Sequence, residues 1–440
     1  MRSSIARRAA VFGSAALLIL GPATTIAHAE PVEPVEPQVS DQAAKLPAEL
    51  VDAIQRDLKL SPDQYVEQSE LGQKLAEFAK IARMQYPDAF AGTWLDEAGK
   101  AVVALADGDD KPAARKAAED AGFTVTDVAQ SEKDLHDQAD KLNGWLDTQP
   151  PAVADIVRGI AVDIVHNNLV LRADTNAGLQ LPDFLSGARI VPAPVPQSHT
   201  PSTDLKPISG PLSGDSLLGG DAYGAIGGDT GLRCSLGFNG TDGSGNPVNI
   251  TAGHCDPNRA AAGTPGASEA FTIAPDGGAG PRIGTFAKTQ LQNHDYALIR
   301  ADDGARHRLE NNGVRVPGAA PLGITGTAEP VVGAPVCKSG LTTGFNCGVV
   351  TAANQTVSVG DRSLSNGFST NICALQGDSG GTIVTGTQAL GISSASNVGQ
   401  YPLCEVANFV TFILGEGPEL YATPINTILG ENPGLKVRTS

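Results

Sequence analysis

Apolar residues recur with helical spacing from about residue 42 to 85, as in Ala48-Glu-Leu-Val-Asp-Ala-Ile-Gln-Arg-Asp-Leu58, which predicts helix with one face turned to a core. The next hundred residues mix two periods. Thr93-Trp-Leu-Asp96, a turn at Gly99 and Ala101-Val-Val-Ala-Leu-Ala106 predict a hairpin, Pro112 to Ala121 a helix, and Phe123-Thr-Val-Thr-Asp-Val128 a strand. A second helix over about 131–147 and strands around Val162 to Leu171 repeat the theme, so residues 30–186 are expected as an α+β unit. Over 187–218 the pattern lapses into Ile190-Val-Pro-Ala-Pro-Val-Pro196 followed by Pro201, Pro207 and Pro211, an expected extended linker and the place for a processing cut. From 219 to 440 Gly is frequent and β-prone runs are short: Val248-Asn-Ile-Thr251, Tyr296-Ala-Leu-Ile299, Cys347-Gly-Val-Val-Thr351, Ala389-Leu-Gly-Ile392. That texture predicts an all-β sandwich or barrel, with helix only near Pro424 to Leu429.

At 440 residues the chain is longer than one core usually serves, in keeping with two folded parts. Arg2, Arg7 and Arg8 precede an apolar run from Ala9 to Leu20 and a small-x-small site, Ala27-His28-Ala29, which together predict a signal peptide over 1–29 and a secreted, extracellular product. The run is too short for the ~20 residues of a spanning helix, so no membrane anchor is expected. All six cysteines (Cys234, Cys255, Cys337, Cys347, Cys373, Cys404) lie in the C-terminal half, which suits an oxidising compartment and three disulfides, with 15 pairings open. Neither Cys-x-x-Cys nor His-Glu-x-x-His occurs, and no metal or other cofactor is expected. The net charge of −17 argues against nucleic-acid or anionic-lipid partners. From residue 216 onward there are 12 basic and 17 acidic side chains, net −5, leaving −12 for residues 1–215.

Gly377-Asp378-Ser379-Gly380-Gly381 is the sharpest chemical signal. A nucleophilic serine needs a tight turn whose N–H groups, here those of Gly377 and Ser379, face a developing oxyanion, and glycine permits that turn. The string also satisfies Gly-x-Ser-x-Gly, but an α/β-hydrolase needs its histidine after the serine, and the last histidine here is His307. The order His, Asp, Ser remains. His254 ends an apolar strand in Thr251-Ala-Gly-His-Cys255, whereas His294 and His307 lie among polar and charged residues. Asp295 opens the run Asp295-Tyr-Ala-Leu-Ile-Arg300, where an orienting acid would be rigid; Asp302 and Asp303 lie in a turn. A protease-like binding module is the competing reading, and it usually lacks one of the three residues.

Arg233-Cys-Ser-Leu-Gly-Phe-Asn239, Thr251-Ala-Gly-His-Cys255, Asp295-Tyr-Ala-Leu-Ile299, Val336-Cys-Lys-Ser-Gly-Leu-Thr-Thr-Gly-Phe-Asn-Cys347 and Gly377-Asp-Ser-Gly-Gly381 together resemble the bacterial streptogrisin and α-lytic protease family. Upstream, Ala91-Gly-Thr-Trp-Leu-Asp96 and the helix and strand units to about 172 resemble its pro-region more loosely. The resemblance implies an all-β chymotrypsin-like fold of two six-stranded antiparallel barrels after an α+β pro-region that assists folding and inhibits. It implies a monomeric serine endopeptidase with catalytic His254, Asp295 and Ser379, acting on peptides or proteins. It also implies the disulfides 234–255, 337–347 and 373–404, and a serine, Ser394, bonded to the triad acid. By the same resemblance Ala374, Leu375 and Gln376 face Ser393, Ser394, Ala395 and Ser396 across the specificity pocket, with Cys373 where trypsin-like relatives carry an acidic floor. No carboxylate is offered, so an apolar residue is expected before the scissile bond. Two departures stand out: Ser394-Ala-Ser396 in place of Ser-Gly-Gly, and Lys338 in place of the arginine that pairs with the residue before the nucleophile, here Asp378.

Overall fold

The computed structural model describes residues 40–173, 181–185, 187–192, 215–359, 362–398, 401–413 and 417–440; the expected leader (1–29) and residues 193–214 of the expected linker lie outside them. The helical stretch expected over 42–85 forms two helices, α1 (Ala48–Ala53) and α2 (Pro62–Gln85). Ser61 and Pro62 cause the break. The Ser61 hydroxyl accepts from the Gln64 N–H, the Gln64 side chain accepts from the Ser61 N–H, and Pro62 stands where no N–H is needed. Then follow β1 (Phe90–Leu95), β2 (Ala101–Leu105), α3 (Lys111–Asp120), β3 (Thr124–Asp127), α4 (Glu132–Leu146), α5 (Pro151–Ala154), β4 (Val157–Asp163) and β5 (Asn168–Ala173). A second capping box, Ser131 with Asp134, starts α4. β1 pairs antiparallel with β2, and β2 parallel with β3 through the α3 crossover. Leu75, Ala79 and Ala82 of α2 close over Phe90, Val103 and Leu105.

Of the expected linker, Arg189–Pro192 is a strand, β6, paired in parallel with β5. The following domain is already anchored before residue 219: Leu217 and Leu218 are buried, and the Leu218 N–H donates to Asp221. Its strands are β7 (Ala222–Gly227), β8 (Thr230–Ser235), β9 (Phe238–Thr241), β10 (Pro247–Thr251), β11 (Glu269–Ile273), β12 (Ala279–Gln290), β13 (Tyr296–Ala301), β14 (Gly313–Val314), β15 (Leu322–Gly323), β16 (Gly326–Thr327), β17 (Pro335–Gly340), β18 (Gly344–Val359), β19 (Arg362–Thr370), β20 (Thr382–Thr385), β21 (Gln388–Ser396), β22 (Leu420–Pro424) and β23 (Lys436–Val437). One sheet runs β23-β9-β10-β13-β12-β11-β7-β8. The other runs β17-β20-β21-β22-β19-β18 and is closed by β17 pairing with β18, which makes a six-stranded barrel. The edge strands of the first sheet, β23 and β8, are not paired with each other among the described residues, so one closed barrel is seen of the two expected.

Among the described residues this domain has two α-helices, α6 (Cys404–Ile413) and α7 (Ile425–Gly430). The second was expected; α6 was not, because Val, Phe, Thr and Ile crowd its sequence and favour strand by propensity. The Cys373–Cys404 disulfide overrides that preference by fixing its first turn, whose Ala407 packs with Leu375 and Val398.

The N-terminal unit docks on the closed barrel. β4 adds to β18, Ile160 opposite Thr356 and Gly159 opposite Val357. Leu50, Ile54 and Tyr65 share one core with Phe238, Ile250, Tyr296, Ile392 and Ile425. Each such side chain removed from water contributes about 1.5–3 kcal/mol. The Asp57 carboxylate accepts from the Cys347 N–H at 2.8 Å.

Candidate active site

β10 and β13 are antiparallel neighbours, Thr251 opposite Ala297, so the turn after β10 meets the residue before β13. His254 lies in that turn, and the Cys255–Cys234 disulfide fixes it to β8. Gly253 cannot carry a side chain, because a Cβ would collide with the Gln290 carbonyl. Asp295 is fully buried. Its Oδ1 accepts from the His254 N–H at 2.9 Å, its Oδ2 lies 2.6 Å from His254 Nδ1, and the Ser394 hydroxyl donates to Oδ2 as well. With the His254 N–H on Oδ1 and the Ser394 hydroxyl on Oδ2, the carboxylate presents Oδ2 to His254 Nδ1 as an acceptor, which places the ring proton on Nδ1.

Ser379 stands in the turn between β19 and β20, half-buried. Gly377 (φ 101°) and Gly380 (φ 81°) supply the left-handed backbone of that turn, and a Cβ on Gly380 would strike the Thr251 hydroxyl. The Ser379 carbonyl accepts from the Ser235 N–H at 2.8 Å and lies 3.8 Å from Cys255 Sγ, which seats the turn beside His254. The Ser235 hydroxyl donates to the Gly377 carbonyl at 2.8 Å. Among the described residues, no acceptor takes the N–H of Gly377 or of Ser379.

Asp378 points away, into the closed barrel. Its carboxylate takes the N–H groups of Thr342, Thr343 and Leu375 at 2.9–3.0 Å and the Thr343 hydroxyl at 2.8 Å. Lys338 Nζ donates to that same hydroxyl at 2.7 Å and lies 3.4 Å from Asp378 Oδ1, with both side chains buried. The lysine therefore acts on the carboxylate partly through Thr343, a relay in place of an arginine fork.

Ala374 and Leu375 are buried and Gln376 half-buried on one side of the expected pocket. Across it, the Ser393 hydroxyl donates to the Asp378 carbonyl and the Ser394 hydroxyl to Asp295, while Ser396 accepts from the Val398 N–H. Ala395 is half-buried beside them. Leu375 rests on Val398 and Ala407, so α6 backs this wall. Sequence reasoning missed Ser235, Thr342 and Thr343, which hold the nucleophile turn; only the neighbouring cysteine block marked them. His294, expected among polar residues, is buried and bonded through Nδ1 to Glu431 at 2.6 Å.

The sulfurs of Cys337–Cys347 and Cys373–Cys404 are joined like those of Cys234–Cys255. Cys234, His254 and Cys255 cluster closely, but disulfide sulfurs offer no thiolate to a metal. No described helix is long and apolar enough to cross a membrane.

Comparison with known proteins finds the trypsin family model matching residues 245–413. Streptogrisin-C of Streptomyces griseus is 30% identical over 404 residues, 90% of this chain and 79% of that protein. Serine protease 2 of Streptomyces fradiae is 40% identical over 187 residues, 41% of this chain and 95% of that protein. Among solved structures, the Nocardiopsis protease is 30% identical, covering 51% of this chain and all of that one, with a TM-score of 0.39.

Proposed function

This chain belongs to the streptogrisin family of serine endopeptidases, and from that premise we propose that it is a secreted zymogen that cleaves peptide bonds with Ser379, His254 and Asp295. The observation that carries the assignment is the buried Asp295–His254 pair, 2.6 Å between Oδ2 and Nδ1, with the Ser379 turn seated on Cys255 and Ser235. In this mechanism His254 Nε2 takes the Ser379 proton as the hydroxyl oxygen bonds to the substrate carbonyl carbon. The oxyanion takes the N–H groups of Gly377 and Ser379, and such a donor contributes about 2.7–4 kcal/mol. The same imidazolium then protonates the leaving amine, and Asp295 stabilises its charge throughout. Water, deprotonated by His254, releases the acyl group and restores Ser379.

The eight-stranded sheet serves as the partner barrel of a two-barrel chymotrypsin-like domain over 219–440, with the triad between the two. Residues 30–186 act as pro-region, folding aid and inhibitor, a reading supported by the pairing of β4 with β18 and by the shared core of α1 and α2. A non-local β topology folds slowly, which is where such help acts. Leu375 backed by Val398 and Ala407, with no carboxylate among the pocket residues, supports an apolar residue before the scissile bond.

The test is expression of the full chain beside its Ser379→Ala variant, with processing followed by intact mass and cleavage measured on peptides ending in Phe, Leu, Ala, Lys or Glu. Wild type alone should mature and cut after the apolar residues, and the variant should lose about a millionfold in kcat. Equal processing in both would sink self-maturation, and an inert, fully processed wild type would sink the assignment of the triad.

A further inference from the structure

Asp295 is the last residue of the connection from β12 to β13, before the strand ladder begins at Tyr296 opposite Gln290. Ladder hydrogen bonds therefore do not fix its backbone, and a connection of this kind is ordinarily mobile. Here three successive residues are each tied to a segment outside this sheet. The Asn293 carbonyl accepts from the Ser365 N–H of β19 at 2.7 Å. His294 Nδ1 lies 2.6 Å from the Glu431 carboxylate, just past α7. The Asp295 carbonyl accepts from the Thr423 hydroxyl of β22 at 3.2 Å. One residue further on, Asn432 Nδ2 donates to the Tyr296 hydroxyl at 3.1 Å.

We propose that His294 and Glu431 are positioning residues for the reaction, a polar link through which the C-terminal segment sets the backbone of Asp295 and hence the orientation of His254. The link is suited to the task. His294 is 8% exposed, so its bond to Glu431 is made largely out of water, where a charge-assisted hydrogen bond is strong and directional. The carboxylate, one-third exposed, keeps part of its hydration and carries a smaller desolvation cost. A misplacement of 1 Å in such a constellation can cost about a hundredfold in rate.

The proposal rests on Asp295 being the triad acid. It is tested in full-length chains carrying His294→Ala, Glu431→Ala or Glu431→Gln, expressed and matured like wild type, with active sites counted by the acylation burst. Per active site, His294→Ala and Glu431→Ala should lower kcat on a short peptide by about tenfold with KM within about twofold. The acid limb of the kcat/KM profile, which reports His254, should move to lower pH, because a displaced Asp295 stabilises the imidazolium less. Glu431→Gln keeps an acceptor and should recover most of kcat. Should His294→Ala fail to fold, the more exposed Glu431→Ala carries the test. Variants with lower thermal stability but wild-type kcat and an unmoved acid limb would overturn the proposal, leaving a packing contact only. An inert wild type would instead overturn the triad assignment.

Discussion

The Asp378 carboxylate lies immediately before the candidate nucleophile and takes four donors, three N–H groups and the Thr343 hydroxyl, which itself accepts from Lys338. Burial pushes the Lys338 ammonium below its ordinary value, more strongly than Asp378 holds it up. The pair is thus a costly arrangement kept for geometry: it fixes the turn whose Gly377 and Ser379 N–H groups take no acceptor among the described residues. Removing one partner of a buried pair strands the other charge, at about 3–5 kcal/mol. Lys338→Met should lower the unfolding free energy of the full chain, read from urea titration, by that much, and Lys338→Met with Asp378→Asn should recover part of it. A double variant no more stable than the single one would mean that the ammonium and carboxylate do not interact. The sequence marked Lys338 as a departure, but Thr342 and Thr343 enter only because β17 and the nucleophile turn converge.

At the scale of elements, the starts of α2 and α4 are written locally by capping boxes, and their buried faces are answered from elsewhere. Glu132, in the first turn of α4, meets Arg83 of α2 at 3.0 Å and His136 at 3.6 Å. Burial raises its carboxyl, but His136 and Arg83 together outweigh that, leaving it below the ordinary value of a glutamate. A carboxyl depressed in the folded state contributes stability above its unfolded value, and that stability is lost as pH falls through the folded value. Both tryptophans, Trp94 and Trp145, lie in this unit, so their fluorescence reads it within the full chain. The gap in urea midpoint between wild type and Glu132→Gln should be present at pH 6 and close as pH falls below about 4. A gap of equal size at pH 6 and pH 3 would mean that the charge of Glu132 is idle.

For the whole molecule, the decisive contact is the addition of β4 to the edge of β18. A Cβ on Gly159 would come 2.8 Å from the Thr356 carbonyl, so close approach here depends on glycine. Gly159→Val should cost about 1–3 kcal/mol at this junction. If the N-terminal unit guides folding of the barrel, the variant should secrete several-fold fewer active sites, counted by burst, while each site keeps wild-type kcat. Undiminished yield would show that this docking does not serve maturation. The same strand pairs, through β19 and Ser365, with the connection that carries Asp295, so the docked unit and the candidate triad share one strand pair.

By itself the sequence determined whatever short-range rules can write: the helical spacing of residues 48–58, the glycine turn around Ser379, the strand-ending His254 beside its cysteine, and the order His, Asp, Ser that excluded an α/β-hydrolase. These depend on neighbours within a few residues, where steric and hydrogen-bond preferences act directly. Closure of β17 on β18, the helix α6, the relay through Thr343, and the hold of Ser365, Thr423 and Glu431 on residues 293–295 were decided only by tertiary structure. Their partners lie far apart along the chain, and the polar groups involved gain their strength from burial that no local pattern encodes.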